Sequence, residues 1–170
     1  WLSAVYHARC LNIYQRQGDM VRIATAADFQ GTRWTVNAVM LPVPRGRSYL
    51  LPVASIMRLF KRHNGKQGVA VRSAPAGLDV CASRTGEKIY LHVANLNYRR
   101  PVTASFAVEN MSVTGGTVHA IAPESPRQSV SADTPDVFRP VRTALGPGPA
   151  AGWTFPAASV SAVELELKRS

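Results

Sequence analysis

Residues 78–102, LDVCASRTGEKIYLHVANLNYRRPV, carry the clearest structural pattern in this 170-residue sequence. Apolar and polar side chains alternate through residues 88–94, which is typical of a strand with one buried face. Residues 78–82 form a second short apolar run, and Thr85-Gly86 between the two runs is a turn signal. The segment therefore predicts paired antiparallel strands that bury one face against a second layer.

Further short runs of the same kind occur on both sides of this segment. They are residues 69–71, 102–108, 116–121 and 159–167. Turn signals at residues 97–101 and at Gly115-Gly116 separate them. Residues 124–152 are rich in Pro, Ser, Asp and Gly, and we expect them to form long surface connections. Together these features predict an antiparallel β-sandwich over residues 67–170.

The first 66 residues show a different, mixed pattern. Apolar side chains recur every three or four positions through residues 1–17, which predicts an amphipathic helix. Gly18 is expected to end that helix in the left-handed conformation. Residues 20–27, MVRIATAA, then form a short and mostly apolar run that predicts a buried strand.

A loop and a second helix complete this part of the chain. Residues 28–46 predict a long loop, and residues 49–63 a helix capped by Ser48 with Pro52 in its first turn. Helix, strand and helix make up an αβα segment, but one strand needs parallel neighbours on both sides. We therefore expect residues 1–66 to be the C-terminal end of a larger α/β protein.

Composition excludes several classes of protein. Hydrophobic residues make up 46% and charged residues 18%, which excludes wholesale disorder. No apolar run approaches the roughly 18 residues of a membrane-spanning helix, so no membrane partner is expected. The chain begins with Trp1 rather than Met and shows no secretion signal, which favours a processed chain or a piece of a longer one.

Cysteine and histidine usage predicts no cofactor. Cys10 and Cys81 lie far apart, and we interpret them as two free thiols. The four histidines occur singly, at His7, His63, His92 and His119. Because neither residue type forms a cluster at metal-ligand spacing, we expect neither a metal ion nor an organic cofactor.

The net charge of +10 allows two interpretations. No acidic residue occurs between Asp28 and Asp79, whereas eight basic residues do: Arg33, Arg45, Arg47, Arg58, Lys61, Arg62, Lys66 and Arg72. Such a stretch is found in proteins that bind a phosphate backbone. These side chains are spread singly and no nucleic-acid-binding motif accompanies them, so we favour acidic partners outside the chain and expect no nucleic-acid partner.

Several phrases of the sequence resemble the C-terminal end of the α-L-arabinofuranosidases of glycoside hydrolase family 51. The phrases are AVYHARCLNIYQRQGD at 4–19, VRIATAADF at 21–29, RWT at 33–35, YLLP at 49–52, the segment at 78–102 and WTFPAASVSAVELEL at 153–167. The resemblance implies the αβα tail of a (β/α)8 barrel followed by an antiparallel β-sandwich. It further implies a retaining hydrolase that removes α-L-arabinofuranosyl units from arabinose-containing glycans. It favours a cytoplasmic location, with secretion as the open alternative, and it is compatible with a homo-oligomer.

The resemblance also assigns the site residues. Both catalytic glutamates of such an enzyme would lie upstream of Trp1, so no catalytic residue is expected here and this chain alone is predicted to be inactive. Trp34, Gln30 and Asp28 are the candidate substrate-binding residues, an indole for stacking and two hydrogen-bonding side chains. The family's Gln-Leu-Val-Asn-Val after the last barrel strand is not reproduced, which leaves the substrate contact open between Asp28 and Gln30. A stand-alone sandwich that binds a polysaccharide or a protein, or a basic nucleic-acid-binding protein, is the alternative.

Overall fold

The structure, a computed structural model, describes residues 1–25, 29–33, 37–148 and 151–169. Two helices and eleven strands occur in these residues. The helices are α1 (Leu2–Arg16) and α2 (Pro52–Arg62). The strands are β1 (Gln30–Gly31), β2 (Val39–Met40), β3 (Tyr49–Leu50), β4 (Gln67–Val69), β5 (Leu78–Thr85), β6 (Lys88–Asn95), β7 (Val102–Ser105), β8 (Met111–Ile121), β9 (Val141–Leu145), β10 (Gly152–Phe155) and β11 (Val160–Arg169).

A six-stranded antiparallel sheet, in the order β4-β5-β6-β11-β8-β9, is the centre of the fold. In its middle strands Ala162 of β11 pairs with His92 of β6 on one side and with His119 of β8 on the other. Because side chains alternate along a strand, these three residues share one face of the sheet. Val163 and Leu165 lie on the opposite face.

Each face of this sheet is covered by a different layer. On one side, here called the helix-side face, α1 and α2 pack on small residues such as Ala94 and Ala162. On the other, the strand-side face, a two-stranded sheet of β7 and β10 packs through Phe106 and Phe155, whose rings meet edge to face at 6.4 Å. The described chain is thus mostly β, with antiparallel sheets and two helices.

The C-terminal predictions are largely confirmed. β5, β6 and β11 occupy the predicted runs within a few residues, and Gly86 turns with φ of 58°. The predicted turn at Gly115-Gly116 is wrong, because both glycines lie inside β8. There a side chain on Gly116 would collide with the backbone of Glu164 in the neighbouring strand, so glycine is required for close strand approach rather than for a turn.

In the C-terminal part of the chain, two strands were not predicted. β9 lies within the residues 124–152 that were expected to be surface connections, and β10 begins at their end. Both are short, at five and four residues, and turn-forming residues surround them. Their pairing with β8 and β7 comes from the neighbouring strands and not from a pattern of their own.

The N-terminal predictions have a mixed outcome. Both helices are confirmed, with Pro52 at the start of α2. The strand expected at 20–27 is wrong for Met20–Thr25, which form no regular structure; the last two residues lie outside the described ranges. Met20 and Ile23 are 83% exposed, and no described strand pairs with this segment. An apolar run without a hydrogen-bonded neighbour does not form a strand.

The predicted helix caps are also wrong. The C-cap of α1 is Gln17 with φ of −101°, and Gly18 is not left-handed. Ser48 does not cap α2, because Tyr49 and Leu50 first form β3 and the helix begins after Leu51. The expected long loop contains β1 and β2, and with β3 these short strands form a small sheet in the order β1-β2-β3. In the described residues, no helix is both long and apolar enough to cross a membrane.

Candidate functional site

One of the three predicted substrate-binding residues, Gln30, lies in the small three-stranded sheet. Gln30 is exposed in β1 and pairs with Val39 of β2, and β2 pairs with β3. Asp28 and Trp34, the other two predicted contacts, lie outside the described residues. The structure therefore locates Gln30 on an open surface and does not test whether the three side chains meet.

The last strand of this small sheet also borders a cavity that the sequence did not predict. The cavity has a volume of about 470 Å³, and its wall is formed by β3 and the two residues before it, α2, His63, His119 of β8 and residues 135–140. Its charged and imidazole-bearing lining residues are Arg47, Arg58, Arg62, His63, His119, Asp136 and Arg139. We call this space the arginine cavity. Its volume lies within the usual range for sites that bind small molecules.

Helix α2 explains how two of the arginines reach the same wall. Ser55, Arg58, Leu59 and Arg62 all line the cavity, at spacings of three and four residues that place them on one helix face. The next helix face carries Ile56 and Phe60, which are buried against the central sheet. The amphipathic pattern that docks α2 on the sheet thus directs its basic residues to the cavity.

The floor of the cavity is formed by His63 and His119, which make a half-buried group with Glu164, although Glu164 itself is not part of the described lining. His63 follows α2, and its Nδ1 lies 2.6 Å from Oε1 of Glu164 in β11. The His63 ring stacks on His119 of β8, with 3.9 Å between ring centroids. Glu164 pairs with Thr117, two residues before His119, so the carboxylate and the second imidazole lie diagonally on the helix-side face.

Burial and neighbouring charges shift the titration of the imidazoles. Desolvation, with a smaller contribution from His63, lowers the pKa of His119, and Arg142 acts in the same direction while Glu164 opposes it. His92, beneath α2, is only 1% exposed, and burial lowers its pKa to about 4. His92 donates from Nε2 to the carbonyl of His63 at 2.8 Å, so this buried strand histidine has a hydrogen-bond partner.

The two imidazoles of the floor, together with the carboxylate of Glu164, offer a donor set that zinc sites use. One ligand atom from each of His63, His119 and Glu164 can be chosen so that all three lie within 4.8 Å of one another. The two rings are stacked nearly parallel, however, at 25°, whereas a shared metal ion must lie in the plane of both rings. The arginines around the cavity also oppose a cation. We therefore interpret the floor as a hydrogen-bonded imidazole–carboxylate pair with a second imidazole stacked on it.

Sequence spacing could not reveal this group, because its members are 45 to 101 residues apart in the chain. The pair arises only when α2 packs on the sheet and sheet register brings β8 beside β11. The one available signal was Glu164, an acidic residue that the alternating pattern of the last strand assigns to a single face.

Retaining glycoside hydrolysis requires two carboxyl groups about 5–5.5 Å apart. The described lining of the arginine cavity contains one carboxylate, Asp136, and Arg139 binds it at 2.7 Å. Other carboxylates of the described chain are also engaged in ion pairs: Asp79 with Arg16, Glu109 with Arg72 and Glu166 with Lys88. The cavity therefore offers no acid and nucleophile pair.

A second cavity, of about 420 Å³, lies on the strand-side face. Apolar side chains from β5, β6 and β7 form most of its wall, including Val80, Leu91 and Phe106. Its charged lining residues in the described chain are Arg72, Arg84 and Glu109, and Arg72 and Glu109 are paired at 2.6 Å. The one carboxylate in its described lining, Glu109, is therefore engaged in an ion pair.

Comparison with known proteins identifies the fold. No protein-family model matches the chain, and no curated protein matches it in sequence. An arabinose-bound family 51 α-L-arabinofuranosidase aligns with 98% of this chain and 28% of its own, at a TM-score of 0.84 and 21% identity. The family 51 enzyme of Thermotoga petrophila RKU-1 aligns with 96% of this chain and 38% of its own, at a TM-score of 0.82 and 20% identity.

This is the fold of the C-terminal portion of family 51 arabinofuranosidases. A third structure, the arabinose complex of the Thermotoga maritima α-L-arabinofuranosidase, also aligns with 96% of the chain, at a TM-score of 0.78 and 20% identity. The chain spans 28–38% of the length of the arabinofuranosidases it matches. The predicted resemblance is thereby confirmed at the level of the fold, and the neighbours are glycoside hydrolases.

Proposed function

We propose that this chain is the C-terminal part of a retaining glycoside hydrolase of the α-L-arabinofuranosidase type. Residues 1–66 would complete a (β/α)8 barrel, and residues 67–170 would form the sandwich that braces it. The likeness to family 51 structures over 96–98% of the chain carries the proposal. The parent enzyme would remove terminal α-L-arabinofuranosyl units from arabinose-containing glycans, with retention of configuration and without a metal or organic cofactor.

Packing between the two proposed parts supports the bracing role. One core contains Trp1, Val5 and Phe60 from the first part together with Ile121 and Val160 from the second. The indole Nε1 of Trp1 also donates to the carbonyl of Ala158 at 2.6 Å. A stand-alone sandwich does not account for helices that pack on β5, β6 and β11 of its main sheet, so the enzyme interpretation explains more of the chain.

Catalysis itself is proposed to depend on glutamates outside these 170 residues. Asp79, Glu109 and Glu166 are engaged in ion pairs, and Asp136, the single carboxylate in the described lining of the arginine cavity, is bound by Arg139. The chain would contribute part of the wall of the sugar-binding site, here called the sugar wall: Gln30 as a hydrogen-bonding side chain, with Asp28 and Trp34 near it in sequence. By the same resemblance we propose a cytoplasmic location and a homo-oligomer.

One pair of experiments tests the class of enzyme. The coding DNA on the 5′ side of the Trp1 codon is expected to encode two glutamates that follow barrel strands. The polypeptide that includes them should hydrolyse an aryl α-L-arabinofuranoside, whereas the 170-residue chain should not exceed the buffer rate. A stop codon directly upstream, or hydrolysis by the 170-residue chain itself, would refute the proposal.

A substitution tests the proposed sugar wall in that longer polypeptide. Gln30→Ala should raise KM for the aryl arabinofuranoside by on the order of fivefold, the loss of one hydrogen bond. Gln67→Ala removes the same side chain from another exposed strand position, in β4, and should leave KM unchanged. Equal kinetics for the two variants would show that Gln30 does not contact the sugar.

A further inference from the structure

The arginine cavity carries more positive charge than the described fold uses. Its described lining holds four arginines and a single carboxylate, that of Asp136, and Asp136 is already bound by Arg139. Within the described part of the chain, Arg47, Arg58 and Arg62 form no ion pair, although Arg9, Arg16 and Arg72 on other surfaces do. Three guanidinium groups on one cavity wall repel one another, a cost that a bound anion would remove.

Two of these three side chains have no structural role that explains their place. The dipole of α2 accounts for Arg62, which lies in the last turn where a cation is favourable. It does not account for Arg58, one turn earlier, or for Arg47, which precedes β3. The guanidinium fork matches the two oxygens of a carboxylate or a phosphate, which makes arginine the preferred residue for binding such groups.

One side of the cavity wall is anchored to the core. Phe138 is 4% exposed and packs on Trp1 with ring centroids 4.8 Å apart, which holds the adjacent Arg139 beside the opening. On the floor, Glu164 engages Nδ1 of His63, so Nε2 is the ring nitrogen that remains for a ligand. His119, stacked on His63, supplies a second imidazole to the lining.

We propose that the arginine cavity binds an oxyanion, either the carboxylate of an acidic sugar or a phosphate group, through Arg47, Arg58 and Arg62. The volume of about 470 Å³ admits a ligand of monosaccharide size attached to that group. The floor imidazoles then meet the hydroxyl groups of the ligand. This inference goes beyond the proposed function and does not rest on it, because it concerns anion binding by the described residues and not hydrolysis.

Calorimetric titration of the 170-residue chain tests the proposal at low ionic strength, where exposed charges are least screened. The three probes are inorganic phosphate, D-glucuronate and the neutral sugar D-glucose. We expect saturable binding of at least one anion, none of glucose, and weaker binding as salt is added. A tighter Kd for glucuronate identifies a carboxylate site and a tighter Kd for phosphate a phosphate site. Failure of both anions to bind more tightly than glucose refutes the proposal.

Three substitutions locate the binding. Arg58→Gln and Arg47→Gln, on the helix and before β3, should each weaken Kd on the order of fivefold, the effect of one exposed charge pair. Arg99→Gln removes the same charge from an exposed loop that does not line the cavity, and should leave Kd unchanged. Circular dichroism confirms that each variant is folded. An equal loss in Arg99→Gln would show general attraction to a basic protein and would overturn the assignment.

Discussion

The two faces of the central sheet are built from opposite chemistry. On the strand-side face, Val163, Leu165 and Phe155 meet in an apolar layer. On the helix-side face, the contact with α1 and α2 is interrupted by polar groups, among them Asn12, His92 and Glu164. Apolar packing is tolerant of small shifts, whereas hydrogen bonds are directional. The comparison indicates that burial of apolar side chains holds the two-stranded sheet in place, whereas directional hydrogen bonds fix the orientation of the helices.

Asn12 shows how this orientation is achieved. Its side chain is fully buried in α1, and Nδ2 donates to Oδ1 of Asp79 at 2.8 Å and to the carbonyl of His92 at 3.2 Å. One turn later Arg16 binds both carboxylate oxygens of Asp79, at 3.0 and 3.1 Å. A bidentate pair and a buried amide together specify one position of the helix on the sheet.

The largest effect is expected from truncation on the strand-side face. Phe155 is 1% exposed, and Phe155→Ala should lower the free energy of unfolding by about 4 kcal/mol, because it removes buried apolar surface and leaves a void. Tyr98→Ala, at a residue that is 50% exposed, should change it by less than about 0.5 kcal/mol. Urea unfolding followed by circular dichroism measures both. Similar losses would show that the apolar layer does not carry the stability assigned to it.

The second largest effect is expected on the helix-side face, where the free energy of unfolding should depend on pH. His92 has a pKa of about 4 when folded, and unfolding returns it to an ordinary value near 6.5. Between these values the unfolded state binds more protons, so the stability present above pH 6.5 is lost as the pH falls toward 4. The loss from this group should be about 3 kcal/mol. Urea unfolding across this range measures it, and His92→Gln should remove most of the slope; an unchanged slope would assign it to other groups.

A smaller loss is expected when the buried amide of α1 is removed. Asn12→Ala leaves the His92 carbonyl without that donor and should lower the free energy of unfolding by about 2 kcal/mol. Gln17→Ala, at the exposed C-cap of the same helix, serves as the control. Thermal unfolding compares the two. A loss no larger than that of the control would mean that the helix is held by packing alone.

The smallest expected effect is an increase in the free energy of unfolding, on removal of a buried hydroxyl group. Ser161 is fully buried in β11, and its Oγ has no hydrogen-bond partner in the described part of the chain. Ser161→Ala should therefore raise the free energy of unfolding by about 1 kcal/mol, because an unsatisfied hydroxyl is no longer desolvated. Ser159→Ala, whose hydroxyl donates to the Pro156 carbonyl at 2.7 Å, should lower it instead. Chemical denaturation of both variants measures the two changes in the free energy of unfolding, and changes of the same sign would contradict the different roles assigned to the two hydroxyl groups.

Residue patterns were sufficient to predict the helices and strands in which apolar residues recur at a regular spacing. Alternation located β6 and β11, spacing of three and four residues located α1, and an early proline in an apolar run located α2. The same patterns were insufficient where strand pairing decides the structure. Met20–Thr25 were predicted as a strand but pair with no described strand, whereas β9 was predicted as a surface connection but pairs with β8. Of the predicted site, only Gln30 falls in the described residues, and the arginine cavity was not foreseen.

By itself, the amino-acid sequence determined which side chains share a face, because the periods of helix and strand are properties of the local backbone. It also determined the excess of arginine before Asp79. Only the tertiary structure decided which faces meet. It placed His63 of the α2 C-cap on Glu164 and gathered Arg47, Arg58 and Arg139 around one cavity. Contacts between residues about one hundred positions apart depend on register and helix docking, which no local period encodes.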